Sequence, residues 1–297
     1  MSFKSGFIGI IGKPNAGKST LLNTIMNTKV AITTDKPQTT RNTIRGIKTT
    51  EEYQMIFVDT PGIHQAHHEL GRQMNKQAFS TISGVDLIYY IVDGTKRFSD
   101  SDKLILRALE NAEVPVFLLV NKLDKLNESQ KYEALLFWQE KGNFAEIIPI
   151  SALKAKNIEM LLDVTLSYLH DGVLYYPKDQ TIDYPESFII TEIIREKVLN
   201  CTNQEIPHSV AVLVEKIAYK NDTMIINCVI YIERDSQKGI IIGKNGSMIK
   251  KISTLAREEM EFRFGCKIYL EVFIRVEEDW RNKVKQLHEL GYLPDKD

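Results

Sequence analysis

Apolar and polar positions along this chain change period in a regular way. Short apolar runs at 7–11, 53–58, 87–93, 115–120 and 145–150 read as buried strands. Between them, apolar residues recur at helical spacing over 20–26, 70–83, 102–110, 132–141 and 158–169. Residues 46–50 read as a strand paired with 53–58. Strand and helix in alternation predict an α/β domain with a doubly wound, mostly parallel sheet, whose ligands sit at the strand carboxyl ends. From 172 to 187 the period fails. Two prolines, Pro177 and Pro185, mark a linker there, and its tyrosines favour packing on a surface. A helix (188–199), strands (208–214 and 224–231), a helix opened by a glycine-rich turn (247–263), a strand (267–276) and a last helix (278–290) then predict an α+β domain. The expected division is 1–172, a linker 173–187, and 188–297.

Composition changes this picture little. At 297 residues and 43% hydrophobic, the chain has ample core for two domains. A formal charge of −1 gives no global attraction to nucleic acid or membrane, so any such attraction is local. Cys201, Cys228 and Cys266 are far apart, which argues against a disulfide framework or zinc site and suits a reducing compartment. Neither a basic-then-apolar leader nor an apolar run of membrane-spanning length is present, and the expectation is a soluble intracellular protein.

The chemistry starts at Gly12-Lys13-Pro14-Asn15-Ala16-Gly17-Lys18-Ser19-Thr20, between a predicted strand and a predicted helix. This is a phosphate-binding loop. Its glycines let amides converge on phosphate at a helix N-terminus, Lys18 reaches the β- and γ-phosphates, and the Ser19 hydroxyl ligates Mg²⁺. The irregular stretch 30–44 holds Gln38-Thr39-Thr40-Arg41, and a threonine here supplies a second Mg²⁺ ligand beside a γ-phosphate. Thr40 is preferred over Thr39. Asp59-Thr60-Pro61-Gly62 ends an apolar strand, so Asp59 serves Mg²⁺ and the Gly62 amide faces the γ-phosphate. Next comes Ile63, where many GTPases carry a water-orienting glutamine. The nearest polar residue, His64, sits in a histidine-rich loop stretch and reads as solvated.

Asn121-Lys122-Leu123-Asp124 supplies base recognition. The Asp124 carboxylate accepts two hydrogen bonds from guanine, whereas adenine would leave a buried carboxylate unpaired. Asn121 and the Lys122 stem brace the loop and cover the base. In Ser151-Ala152-Leu153 a backbone amide meets guanine O6. Together these motifs resemble the Era-type bacterial GTPases. Related translation-factor-like GTPases also carry an aliphatic residue after Gly62, so Ile63 departs from Ras-like proteins and not from this group.

In the second domain, Ile241-Ile242-Gly243-Lys244-Asn245-Gly246 resembles the signature of a KH domain of the type with two strands before its helix pair (type II). The physics suits RNA: glycines admit a phosphate, the following helix favours an anion, and Ile241 and Ile242 floor a groove for bases. Between 234 and 251, Arg234, Lys238, Lys244, Lys250 and Lys251 face only Asp235. The resemblance covers nearly the whole chain. It implies a GTPase that assists small (30S) subunit assembly by binding near the 3′ end of 16S rRNA, as a monomer in the cytoplasm. It also implies that Asn15 helps to bind K⁺ in the place of an arginine finger, acting in hydrolysis with Lys18 and Thr40. Two readings remain open: an enzyme whose slow hydrolysis times RNA release, and an RNA-binding module that senses guanine nucleotide without meaningful turnover. Lys283 and Lys285 on the amphipathic last helix leave a weak peripheral contact with the inner face of the membrane as a further option.

Overall fold

The computed structural model describes residues 2–36, 38–202 and 206–293. They cluster into two compact units. The first takes residues up to 33, 40–67 and 71–183; the second takes 34–39, 68–70 and 184 onward.

The first unit runs β1 (Lys4–Ile11), α1 (Lys18–Met26), β2 (Ile44–Thr49), β3 (Tyr53–Asp59), α2 (Glu69–Ser80), β4 (Leu87–Asp93), α3 (Asp100–Leu109), β5 (Val116–Asn121), α4 (Glu128–Gln139), β6 (Glu146–Pro149) and α5 (Ile158–Tyr168). Its sheet has the order β2-β3-β1-β4-β5-β6. Only β2 is antiparallel to its neighbour; the other pairs are parallel, as strand–helix alternation requires. Alternate side chains of β4 serve opposite faces. Ile88, Tyr90 and Val92 pack with Ile105 and Leu109 of α3 and Trp138 of α4. On the other face, Tyr89 lies between Phe57 and Phe117, and its hydroxyl meets Thr165 Oγ1 of α5 at 2.5 Å. Because strands buried on both faces have no polar side, their sequences read as continuous apolar runs.

Boundaries differ from expectation where caps decide. Helix α4 begins four residues before the apolar period, because Asn127 and Gln130 form a reciprocal capping box. The expected linker residues 173–183 cluster with the first unit. The Gln54 carboxamide accepts from the amides of Tyr175 and Tyr176 and donates to the Tyr176 carbonyl, Phe7 meets Tyr175 edge-on, and Ile182 bridges to Gly46.

The second unit runs α6 (Glu186–Cys201), α7 (Ile206–Ser209), β7 (Ala211–Lys220), β8 (Thr223–Ile232), α8 (Asp235–Ile242), α9 (Ser247–Phe264), β9 (Lys267–Val276) and α10 (Val284–Glu289). Strand β8 is central, antiparallel to β7 and parallel to β9. Its Ile226, Cys228, Ile230 and Ile232 are fully buried, as are Ile252, Ala256 and Met260 of α9 and Ile190, Ile194 and Val198 of α6. Two expectations fail here. The strand expected at 208–214 starts at Ala211 and runs on to Lys220, with a helical turn before it. The helix expected over 278–290 is broken, because Asp279 has φ 52° and the buried Trp280 turns inward to donate to the Ser209 carbonyl at 2.9 Å.

The buried Tyr89 hydroxyl depends on one side-chain partner. Thr165→Val should destabilise the first unit by about 1–3 kcal/mol, the usual cost of an orphaned buried hydroxyl. Tyr89→Phe in the same chain should recover part of that loss, as read by urea unfolding.

Candidate functional site

The carboxyl ends of β1, β3, β4, β5 and β6 bring the predicted nucleotide motifs together. Residues 12–17 link β1 to α1, and Gly17 precedes α1 as its N-cap without a side-chain cap. Such a helix start favours an anion. Carbonyls of the loop are tied from several sides. Asn121 Nδ2 donates to the Ala16 carbonyl at 2.8 Å, and Lys122 Nζ donates to the Asn15 carbonyl at 2.6 Å. Asn15 is exposed, with φ 61°.

Lys18 is buried and donates to the carbonyls of Gly12 at 3.2 Å and Lys13 at 3.0 Å. Loss of solvent lowers its pKa to about 8 against the opposing pull of Asp59. Asp59 is fully buried, and burial raises its carboxyl to about 6 even though Lys18, Ser19 and Thr40 favour the anion. The Ser19 hydroxyl donates to Asp59 Oδ2 at 2.7 Å and lies 2.8 Å from Thr40 Oγ1. Three residues far apart in sequence thus place three oxygen donors at one point. Asp59 Oδ1 is buried there without a hydrogen-bond partner. A hard divalent cation suits that donor set. Thr39 does not join it; its hydroxyl donates to the Lys36 carbonyl at 2.7 Å and meets Thr34 Oγ1. Within the second unit, the buried Arg195, held by Glu192, donates to the Thr39 carbonyl. One of the breaks between the units falls between Thr39 and Thr40.

Gly62 must be glycine because a Cβ would lie 2.6 Å from Pro14 N. The Ile63 amide donates to the Gly12 carbonyl at 3.1 Å, while its side chain is fully buried among Ile88, Tyr90 and Val92. An aliphatic residue is needed here for packing. His64 Nδ1 lies 2.8 Å from the Gly62 carbonyl, and Asn75 engages its backbone at both the amide and the carbonyl.

At the base end, Asn121 also accepts from the Ala152 amide at 2.9 Å, so one side chain joins the phosphate loop to the Ser151-Ala152-Leu153 loop. The Ser151 hydroxyl donates to Asp124 Oδ1 at 2.6 Å, and Leu153 is exposed. Thr20 lies in the first turn of α1, where its carbonyl accepts from the Thr24 hydroxyl. Asp124 departs from the expected buried carboxylate: it is exposed on the short turn Leu123–Lys125. A base that paired with it would have to desolvate it on arrival. Asp93 was not anticipated. It pairs with Lys122 at 2.7 Å; although burial pushes its carboxyl upward, bonds from Lys122 and Thr95 outweigh that and hold it below the usual range. Its place at the end of β4, beside the other motif-bearing strand ends, was the available signal.

In the second unit, α8 ends at the turn Gly243-Lys244-Asn245-Gly246 and α9 follows with no side-chain cap. Lys244, Asn245, Lys250 and Lys251 are exposed and Ile242 is half-buried. Ile241 departs from the expected groove floor. It is fully buried, one helical turn from the buried Gln237, and Ile240 is exposed in its place. Helical period, not the apolar pair itself, selects which isoleucine faces outward. Gly243 has φ 72°, and a Cβ there would meet the Met248 amide nitrogen at 2.8 Å, whereas Gly246 faces open space.

Comparison with known proteins agrees with both units. The family described as 50S ribosome-binding GTPase matches residues 7–122, and the KH domain family matches residues 205–281. The chain is similar to GTPase Era of Staphylococcus haemolyticus (strain JCSC1435), 45% identical over 295 residues and 99% of each chain. It is also similar to solved structures. A variant of Aquifex aeolicus Era bound to GDP·AlF4⁻ is 35% identical, with TM-score 0.94, over 98% of this chain and 99% of that one. Era in complex with MgGDPNP and nucleotides 1506–1542 of 16S ribosomal RNA is 35% identical, with TM-score 0.93 and the same coverage.

Asp124→Asn should weaken GTP binding by about 2–4 kcal/mol and favour xanthosine triphosphate, because the amide donates where the xanthine carbonyl accepts. Competition titrations measure it. Equal binding of ATP and GTP by the parent chain would show that Asp124 does not select the base.

Proposed function

The chain belongs to the Era family of GTPases, and from that premise we propose that it is a GTP-hydrolysing switch acting on 16S rRNA. Asn15, Ala16, Gly17, Lys18, Ser19, Thr20 and Gly62 hold the phosphates, and Asn121, Lys122, Asp124 and Ser151–Leu153 hold guanine. Its strongest support is the convergence of Ser19, Thr40 and Asp59 beside the buried Lys18. Those three residues hold Mg²⁺, which when bound neutralises charge on the β- and γ-phosphates. Because Ile63 is committed to the core, no side chain at that position orients water, and hydrolysis leans on charge stabilisation. In this reading Asn15 helps to bind K⁺, which adds to the charge supplied by Lys18.

The second unit binds single-stranded RNA at the 3′ region of 16S rRNA through the Gly243–Gly246 turn, with Ile242, Lys244, Asn245, Lys250 and Lys251 around it. A phosphate approaches the glycine turn and the uncapped start of α9, while the lysines add charge. The protein acts as a cytoplasmic monomer on the small (30S) subunit. Among the described residues no helix is long and apolar enough to cross a membrane.

Hydrolysis in KCl should exceed that in NaCl at equal ionic strength, and Asn15→Ala should remove the difference. Rates that are equal in the two salts dismiss the K⁺ site. For RNA, Gly246→Asp is the cleaner probe, since Gly243→Asp also strikes Met248. It should abolish binding of a single-stranded 16S 3′-end oligonucleotide and leave GTP affinity unchanged. A folded Gly246→Asp protein that binds this RNA as the parent does would move the site elsewhere.

A further inference from the structure

A buried carboxylate lies behind the phosphate loop, outside every motif. Asp102, in the first turn of α3, is completely buried. Its Oδ2 accepts from the Ser99 amide at 2.8 Å, the Ser99 hydroxyl at 2.7 Å and Lys13 Nζ at 2.5 Å; its Oδ1 accepts from the Tyr90 hydroxyl at 3.2 Å. The bonds from Ser99 belong to a helix cap, and a cap needs no cation. The ammonium is drawn instead from the second residue of the phosphate loop, and only 17% of the Lys13 side chain is exposed. Burying both charges is costly unless each satisfies the other.

The main chain of Lys13 supplies the second observation. Its carbonyl accepts from Lys18 Nζ at 3.0 Å and from the Ala16 amide at 3.3 Å. One residue therefore grips α3 with its side chain and Lys18 with its backbone. Pro14 follows at once, and it is against Pro14 that Gly62 packs too closely for any Cβ. The later half of the loop is tied elsewhere, through Asn121 and Lys122. A shift at Lys13 would thus move Lys18 and Gly62, the groups assigned to the γ-phosphate, more than the groups that hold the base.

We propose that Asp102 is a positioning residue for GTP hydrolysis, acting through Lys13 to fix the first half of the phosphate loop. This rests on the GTPase reading above. The test compares single-turnover GTP hydrolysis and GDP affinity in the parent, Asp102→Asn, Lys13→Met, Lys13→Arg and the apolar pair Lys13→Met with Asp102→Leu. Asp102→Asn and Lys13→Met should each slow hydrolysis about ten- to a hundredfold, the scale of a misplaced catalytic group. GDP affinity should stay within about threefold, a split that separates transition-state placement from general damage. The apolar pair removes both charges together and the tie with them, so it should stay slowed to the range of the single variants, whereas Lys13→Arg should keep most of the parental rate. Parental hydrolysis in the folded apolar pair overturns the proposal, and so does GDP affinity falling in step with rate. Turnover by the parent is the separate check: a parent that hydrolyses GTP beside unaffected variants removes only the role of Asp102, whereas a parent without turnover removes both.

Discussion

Two opposite charges buried at one end of a sheet, Lys18 and Asp59, constrain everything around them. Loss of solvent drives each toward its neutral form, Lys18 down to about 8 and Asp59 up to about 6, and each resists because the other is near. Folding alone gains little from such a pair. The arrangement makes sense when a polyphosphate meets the ammonium and a cation meets the carboxylate. Ser19 and Thr40 converge on the carboxylate at the same point, and the start of α1 has no side-chain cap, an arrangement that favours an anion.

Holding that pocket open requires the backbone around it to face the right way. Several ties to the loop run to its carbonyls: Asn121 to Ala16, Lys122 to Asn15, Lys18 to Gly12 and Lys13. Bonds from Asn121 and Lys122 occupy the Ala16 and Asn15 carbonyls and leave the loop amides to an anion. Asp93 and Asp102, both near-buried, anchor the two lysines that lie outside the pocket. The second unit uses the same physics in smaller form. A glycine turn that carries the exposed Lys244 precedes an uncapped helix, and the exposed Lys250 and Lys251 follow.

Much of this was legible in the chain itself, for a physical reason. A phosphate loop, a strand-end aspartate and an N-K-x-D turn are local devices, and local spacing reveals them. Alternating strand and helix periods likewise determined a mostly parallel sheet, because a strand buried on both faces has nowhere to put polar residues. The caps at Asn127 and Ser99 were also written locally, although apolar period alone overlooked them. What only the tertiary structure decided were the meetings across the fold. Thr40 rather than Thr39 reaches Ser19, Ile241 turns inward while Ile240 does not, and Ile63 fills a core that no neighbouring residue discloses. Lys13 with Asp102, and Lys122 with Asp93, belong to the same class. Their partners lie 89 and 29 positions away along the chain. Spacing along a sequence carries no record of such pairs, because packing of the strands and helices sets the distances between them.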